Sequence, residues 1–237
     1  MTTDAIALTG GPAVRARLLA PVASFRDPMF PGLQAGLLVP PPATVRGLLA
    51  AAWGSYERLG RVHVGIAFRI GGEAMDLETY HPLNTDGRMR FPGVDKGPTP
   101  LERHLVVDAE LTVWVIHDDP KRCAAALRRP VWALHLGRSQ DLVHLADIDE
   151  VETRPADSGR QGYALVPIGA APHGTGDEYR LATWVASDRR RTRYEDFLWA
   201  EQGGGDVETV VGALVDEGGQ LVWPIDVNDV DEVDSAA

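Results

Sequence analysis

Hydrophobic and polar residues alternate over several segments of the chain. Between residues 12 and 20, the apolar residues Val14, Ala16, Leu18 and Ala20 alternate with Arg15, Arg17 and Leu19. An alternation of period two predicts a strand with one polar face. The same pattern predicts further strands over 63–70, 74–80, 104–116 and 131–136. Gly71-Gly72 is a turn signal, so we expect segments 63–70 and 74–80 to form a hairpin.

Apolar residues recur at helical spacing in two other segments. The recurrence from Leu48 to Trp53 predicts a helix over 44–58, and Pro120 opens a shorter helix that extends through Leu127. Strands and helices then follow the order strand, helix, strand, strand, helix, strand. This is the order of a ferredoxin-like βαββαβ unit, so the sequence predicts an α+β fold with a large insertion near the third strand.

The rest of the chain has a different pattern. Short strands over 163–168, 179–185 and 220–224 are separated by glycine turns. We therefore expect three parts in succession. These are a ferredoxin-like unit over 1–150 with an insertion at about 80–104, a smaller β-rich part over 151–227, and a solvated acidic tail over 228–237.

The composition is that of a globular protein with a sizeable core. The chain has 237 residues, of which 44% are hydrophobic. It contains no uncharged apolar run of 18 residues and no signal-peptide pattern at its N-terminus, so we expect a cytoplasmic protein without a membrane span. Its one cysteine, Cys123, excludes an internal disulfide and is expected to fill the core.

The net charge of −11 is unevenly distributed along the sequence. Residues 206–237 contain nine acidic residues and no basic one, whereas residues 1–205 carry 23 basic and 25 acidic residues, a net charge of −2. A nearly neutral body can present local basic patches, so the charge does not exclude a nucleic-acid partner. Residues 189–193 form one dense basic run, which is compatible with nucleic-acid binding, although such runs are more often solvated surfaces.

The start of the first predicted helix is unusual. Three prolines at 40–42 lead to Thr44, which is a suitable N-cap, and Arg46 and Gly47 then fall in the predicted first turn. An arginine there opposes the helix dipole. A bound anion would explain it, since backbone N–H groups, a hydroxyl and a guanidinium would converge on one phosphate-sized space. The alternative is an exposed arginine beside a packed helix, and the sequence leaves both open.

The usual catalytic motifs are absent from the sequence. The seven histidines form no pair with metal-ligand spacing, and no nucleophile elbow, Walker loop or dinucleotide fingerprint occurs, so we expect no metal or cofactor. A metal-independent ribonuclease is one remaining possibility, because Tyr80, His81, Lys96 and His104 flank the predicted insertion. The competing interpretation is that these four are surface and strand-end residues.

Three segments together resemble a known family. They are Ala23-Ser24-Phe25-Arg26, the stretch from Pro40 to Gly54, and Leu136-Gly137-Arg138-Ser139-Gln140-Asp141-Leu142. In this order they resemble the CRISPR-associated RAMP proteins of the fifth Cas family, the Cascade subunit that caps the five-prime handle of the guide RNA. The resemblance spans about residues 12–145. It implies a ferredoxin-like (RRM-like) palm with a thumb-like insertion, and the third segment is similar to type I-B or a neighbouring subtype.

The resemblance also implies a function. Most members are non-catalytic: they hold the crRNA handle, contact the backbone and large subunits of Cascade, and meet target DNA only through the assembled complex. One branch cleaves precursor crRNA without a metal, but the adjacent Lys-His pair of that branch is missing here, so cleavage is the alternative. A β-rich adaptor without RNA is a third hypothesis.

Single-stranded handles are held by stacking on aromatic or guanidinium planes and by hydrogen bonds to base edges and phosphates. Arg46 and Arg138 are expected to clamp handle phosphates, and Phe25 to stack on a base. The expected RNA-binding residues are Ser24, Phe25, Arg26, Gln34, Thr44, Arg46, Gly47, Arg88, Arg90, Arg103, Arg138, Ser139 and Gln140.

Overall fold

The computed structural model describes residues 3–27, 36–80 and 99–229, and the protein is mostly β. Its helices are α1 (Thr3–Thr9), α2 (Pro42–Trp53), α3 (Tyr56–Leu59) and α4 (Pro120–Arg128). Its strands are β1 (Gly11–Ala23), β2 (Phe25–Arg26), β3 (Gly36–Leu37), β4 (His63–Arg69), β5 (Gly72–Tyr80), β6 (Thr99–Ile116), β7 (His144–Ala156), β8 (Gly159–Gly162), β9 (Val166–Pro167), β10 (Asp177–Val185), β11 (Thr192–Trp199), β12 (Gly204–Val207), β13 (Ala213–Asp216), β14 (Leu221–Val222) and β15 (Ile225–Asp226). Within the described ranges, no helix has the length and apolar character needed to cross a membrane.

The main sheet is antiparallel and has eight strands. Its order is β14-β13-β7-β1-β6-β4-β15, and β5 also pairs with β6. Four strands lie at its centre in the spatial order β7-β1-β6-β4. Numbered by their position along the chain, this order is 4-1-3-2. Helix α2 lies in the connection from β1 to β4, and α4 lies in the connection from β6 to β7. Apolar residues of both helices belong to the same core cluster as the central strands.

The buried face of strand β6 changes at Asp108, in the middle of the strand, while its pairing register with β1 is the same on both sides. Ala109 belongs to the core cluster on one side of this residue and Val106 does so on the other, so the alternation shifts by one position. Asp108 has a φ of +48°, a left-handed conformation in which aspartate is enriched. Ala20 and Ala23 of the paired strand β1 show the same change of face at the same level. On the N-terminal side of Asp108, β6 pairs with β5 to form the hairpin that leads into the predicted insertion.

One core joins the two predicted parts of the chain. The Phe68 ring lies edge-on to Phe25 with centroids 5.7 Å apart, and Trp199 donates its indole N–H to the Phe68 carbonyl at 2.8 Å. Near the end of the described chain, Ile225 of β15 pairs with Val64 of β4. Strands β13, β14 and β15 from beyond residue 150 therefore join the main sheet, whereas β9, β10 and β11 form a three-stranded sheet and β8 pairs with β12. Residue 150, the predicted boundary, lies within β7.

Helix α4 forms as its sequence predicts. Asp119 is a preferred N-cap residue, and its carboxylate accepts the backbone N–H of Arg122 at 3.0 Å. Pro120 follows at the first helical position, where its missing N–H costs nothing. Cys123 is fully buried on the inner face. Burial raises the pKa of its thiol to about 12, so the prediction of a core cysteine is confirmed.

Helix α2 begins and ends earlier than predicted. The residue before its first turn is Pro41, and Pro42 occupies the first helical position. Thr44 lies inside the first turn, where its N–H donates to the Pro41 carbonyl at 2.8 Å. Gly54, with a φ of +95°, ends the helix. The prediction that Thr44 is the N-cap was therefore wrong, and Arg46 lies in the second turn rather than the first.

The apolar segment 131–136 is not a strand. The backbone N–H groups of Val131 and Trp132 donate to the carbonyls of Ala52 and Ala51, both at 3.1 Å, and so satisfy the end of α2. Hydrogen bonds to a helix end leave these groups unavailable to a sheet. The fourth central strand is β7, which begins later in the chain.

Segment 74–80 is a strand, but it does not pair with 63–70 as predicted. Strand β4 pairs with the second half of β6 and β5 pairs with the first half, so the two strands follow one another along one edge. The Gly71 N–H donates to the Val107 carbonyl at 2.9 Å where they join. The acidic tail also begins later than predicted, since Asn228 is 2% exposed and its side-chain oxygen accepts the Val62 N–H.

Candidate nucleic-acid interface

Two loops from distant parts of the chain meet at the base of the β5–β6 hairpin. One loop follows β1 and contains Ser24, and the other follows α4 and contains Gly137. The φ of Gly137 is +99°, and a Cβ at this position would lie 2.4 Å from the Ser24 carbonyl oxygen. Only glycine permits this approach. The Ser24 hydroxyl donates to the His104 carbonyl at 2.9 Å, which fixes the first loop to β6. We call this contact the loop junction.

A chain of ion pairs ties the loop junction to the hairpin. The guanidinium of Arg138 binds Asp141, with Nη2 2.8 Å from Oδ1 and Nε 3.0 Å from Oδ2. Arg138 also contacts Glu78 of β5, and Glu78 accepts a hydrogen bond from Arg103 Nε of β6 at 2.5 Å. The hydrogen bond with Asp141 is the main cause that raises the pKa of Arg138 above its usual value. Two guanidiniums thus alternate with two carboxylates, and their charges balance.

The structure corrects two of the predicted roles. Phe25 is 3% exposed and packs against Phe68, so its ring offers no face on which a base could stack. Arg138, which we expected to clamp a phosphate, binds carboxylates on two sides instead. Arg103 is also paired, and Ser24 is buried. These residues stabilise the loop junction and are not exposed side chains that could bind RNA.

Three predicted residues are exposed next to the loop junction. Arg26 lies two residues beyond Ser24, and Ser139 and Gln140 lie two and three residues beyond Gly137. Two residues of chain span at most about 7 Å, so Arg26 and Ser139 both lie close to the contact. A guanidinium, a hydroxyl and an amide are groups that bind phosphates and base edges. These three side chains can therefore form the phosphate and base-edge contacts that the sequence analysis assigned to all thirteen predicted RNA-binding residues.

The predicted residues of α2 form a second group. The Arg46 guanidinium lies over the ring of Tyr56, 4.8 Å from its centroid. A Cβ on Gly47 would lie 3.3 Å from the Tyr56 hydroxyl, so the glycine leaves room for that ring. The proposed anion site has fewer donors than expected, because Pro42 has no N–H and the N–H of Thr44 is bonded to Pro41.

Three further predicted RNA-binding residues, Gln34, Arg88 and Arg90, lie outside the described residues, as do His81, Lys96 and most of the predicted insertion. The other two candidates for a ribonuclease are not brought together. Tyr80 pairs with Thr99 and His104 pairs with Met75, so five residue positions, or about 17 Å of strand, separate them. The His104 ring nitrogen Nε2 lies 2.6 Å from the Glu73 carboxylate.

A groove of about 300 Å³ lies on the other face of the main sheet. Arg15 and Arg17 of β1 line it together with three acidic residues. Arg15 Nη2 donates to the Asp149 carboxylate at 2.9 Å, and this hydrogen bond is the main cause that raises the pKa of Arg15. These paired charges disfavour phosphate binding in the groove. Among the residues described, no three His, Cys, Asp or Glu side chains are grouped as metal ligands.

Sequence reasoning did not single out Glu78 and Asp141 as site residues. Asp141 is 4% exposed and holds its own loop, since its carboxylate also accepts the Arg138 N–H at 3.1 Å. An aspartate three residues after an arginine in a glycine loop is a local signal for such a bond. Glu78 has no local signal, because its partner Arg138 lies 60 residues away.

Comparison with known proteins gives the chain a family. Residues 13–203 match the family described as CRISPR-associated protein (Cas_Cas5). This range contains both loops of the junction and continues into the strands beyond residue 150. No curated protein matches the chain.

Several solved structures are similar to this chain. One is described as a CRISPR RNA-guided surveillance complex, with 18% identity, 88% of this chain and 92% of that chain covered, and a TM-score of 0.49. A CRISPR protein from Archaeoglobus fulgidus has 11% identity, coverage of 89% and 97%, and a TM-score of 0.49. A type III-B Cmr-beta complex bound to cognate target RNA has 8% identity, coverage of 82% and 86%, and a TM-score of 0.45.

The family match covers well over half of the chain and includes the segments on which the resemblance was based. The chain therefore belongs to the Cas5 family of CRISPR-associated RAMP proteins.

Proposed function

We propose that this protein is the non-catalytic subunit of a type I CRISPR surveillance complex that holds the five-prime handle of the crRNA. Its palm is the ferredoxin-like unit of β1, α2, β4, β6, α4 and β7, and the thumb-like insertion continues from the β5–β6 hairpin. In the cytoplasmic complex it contacts the backbone and large subunits, and it reaches target DNA only through the assembled particle.

The loop junction is the observation that carries this proposal. It brings two sequence segments that are 113 positions apart into van der Waals contact at Ser24 and Gly137. The exposed groups beside it are those of Arg26, Ser139 and Gln140. A guanidinium for a phosphate and small polar groups for base edges suit a short single-stranded RNA of constant sequence. The spacer needs no protein readout, since it is read by base pairing.

The non-catalytic assignment is supported by the hairpin. Tyr80 and His104 lie five residue positions apart along the paired strands, about 17 Å of backbone, and this spacing does not favour joint action on one phosphodiester. His104 is also engaged with Glu73. Incubating the purified protein with precursor repeat RNA in the presence of a chelator tests this point. We expect no site-specific cleavage, and specific cuts would favour the alternative, a metal-independent endoribonuclease.

Handle binding is tested by purifying the complex with the double variant Arg26→Ala, Gln140→Ala. Hydrogen bonds to charged groups are worth about 1.5–3 kcal/mol, so we expect crRNA retention to weaken by roughly tenfold or more. The loss should shrink as salt rises, because a phosphate contact is removed. Arg69→Ala is the matched control, since Arg69 lies 3.4 Å from Glu110 on the groove face. Equal crRNA retention in all three complexes would contradict the proposal.

A further inference from the structure

The turn between β10 and β11 carries three consecutive arginines that the proposed function leaves unused. Arg189, Arg190 and Arg191 are all exposed. The Arg189 N–H donates to the Ala186 carbonyl, and the Ala186 N–H donates to the Arg191 carbonyl, both at 2.9 Å. Hydrogen bonds across its base therefore define the backbone of this turn, and the three side chains start from fixed positions.

Arg189 occupies a backbone conformation that favours glycine. Its φ is +59°, in the left-handed region where hairpin turns of this kind usually place glycine. Among the described residues, the other non-glycine residue with a positive φ is Asp108. Aspartate is enriched in that region and arginine is not. The sequence thus keeps a guanidinium where backbone geometry alone would select a residue without a side chain, which points to a use for the side chain.

The charges of the turn are strongly one-sided. Its acidic residue is Asp188, whose carboxylate accepts the Arg190 backbone N–H at 2.9 Å. The Arg191 guanidinium lies over the Trp184 ring, 5.7 Å from its centroid. This cation–π interaction restricts the position of the Arg191 side chain while the guanidinium stays exposed to water. The turn therefore presents a compact cationic tip on a protein whose net charge is −11.

We propose that this tip, Arg189 to Arg191, is a second nucleic-acid contact that binds phosphodiester groups without reading sequence. Guanidinium groups pair with phosphate oxygens in a bidentate manner and remain charged at every physiological pH. Contacts with phosphates position a nucleic acid and carry no base information. This contact goes beyond the proposed function. It rests on that function only for the identity of the strand in the complex, which is either the guide RNA or the target DNA.

The test uses the isolated 237-residue chain and two fluorescent probes, single-stranded oligouridine and a DNA duplex of equal length. The double variant Arg189→Gly, Arg190→Ser is compared with the unaltered protein over a salt series. We expect binding to weaken by about tenfold at low salt, and the dependence of log K on log salt to lose about 0.7 per phosphate contact on the single strand. A loss with oligouridine only assigns the tip to RNA, a loss with the duplex only assigns it to DNA, and a loss with both supports a general backbone contact.

The controls separate binding from folding and from net charge. Arg180→Ala removes one charge from the same sheet, where Arg180 lies 3.3 Å from Asp196, and should leave both probes bound as before. Arg189→Gly relieves the left-handed backbone, so the thermal midpoint should stay equal or rise. Unchanged binding by the double variant, a lowered midpoint that accompanies the loss, or no binding by the unaltered chain would each overturn the proposal. None of these results depends on the handle-binding test, because that test uses Arg26 and Gln140.

Discussion

Gly137 is the residue on which the loop junction depends. A side chain there would meet the Ser24 carbonyl oxygen at 2.4 Å and would have to adopt a φ of +99°. Neither demand can be relaxed by a rotamer change, because both arise from backbone atoms. The exposed groups of Arg26 and Ser139 therefore depend on a position that does not itself touch a ligand.

Gly137→Ala is expected to lower the free energy of unfolding by about 3 kcal/mol, the sum of backbone strain and steric overlap. The matched control is Gly169→Ala. Gly169 has a φ of +83° with no atom within 4 Å of the added Cβ, so it should lose only about 1 kcal/mol. Urea unfolding of both variants measures the difference. Equal losses would mean that the contact with Ser24 contributes nothing.

His63 gives the fold a dependence on pH. Burial lowers the pKa of its imidazole below the usual value, despite the carboxylates of Asp226 and Asp4. The unfolded chain takes up a proton near pH 6.5, whereas the folded chain resists it until a lower pH. The unfolded state thus binds more protons in this interval. Stability is present above about pH 6.5 and decreases as the pH falls toward the lowered value.

Urea titrations at a series of pH values test this expectation. The free energy of unfolding should decrease between pH 7 and the folded pKa of His63, and the contribution should level off below it. His63→Gln removes the titrating group and should flatten this part of the curve. A variant with the same pH profile as the unaltered protein would show that other groups cause the dependence.

At the scale of elements, α2 and α4 start in different ways. Asp119 caps α4 with its carboxylate, whereas α2 starts from Pro41 without a side-chain cap. Proline at the first positions of α2 removes an N–H that would otherwise need a partner, so a cap matters less there. The end of α2 depends instead on the N–H groups of Val131 and Trp132. Helix α2 is therefore stabilised more by tertiary contacts than by local capping interactions.

Asp119→Ala is expected to cost about 1 kcal/mol of stability, the usual contribution of an N-cap. Thr44→Ala should be neutral or slightly stabilising, because Thr44 lies within the helix and alanine has the higher helix propensity. Thermal unfolding of the two variants checks both values. A loss at Thr44 as large as that at Asp119 would restore the original interpretation of Thr44 as a cap.

At the scale of the whole molecule, periodicity located most of the secondary structure. Strands β1, β4 and β6 lie where alternation predicts them, and helix α4 begins at Pro120 as predicted. The prediction of a strand over 131–136 was wrong because backbone N–H groups of this segment donate to carbonyls at the end of helix α2. No local sequence pattern reveals such a tertiary hydrogen bond. The predicted partner of β5 was wrong because β5 pairs with the first half of β6, which comes later in the chain, and not with its neighbour β4.

The candidate site was predictable to a different degree. The sequence motifs named the two loops that meet at Ser24 and Gly137. They did not reveal that Phe25 points into the core or that the charge of Arg138 is balanced by an ion pair with Glu78. Both facts depend on residues of other elements, Phe68 and Glu78. Residue type suggests which groups can bind RNA. Burial and ion pairing decide which of them are available to do so.

The length of strand β6 has a consequence for how movements pass through the protein. It runs from Thr99 to Ile116 and pairs with β1 along one edge, and with β5 and then β4 along the other. The part of β6 that holds β5 and the part that holds β4 therefore belong to one continuous strand. A displacement of β5 is transmitted directly to the centre of the main sheet, because no loop interrupts β6.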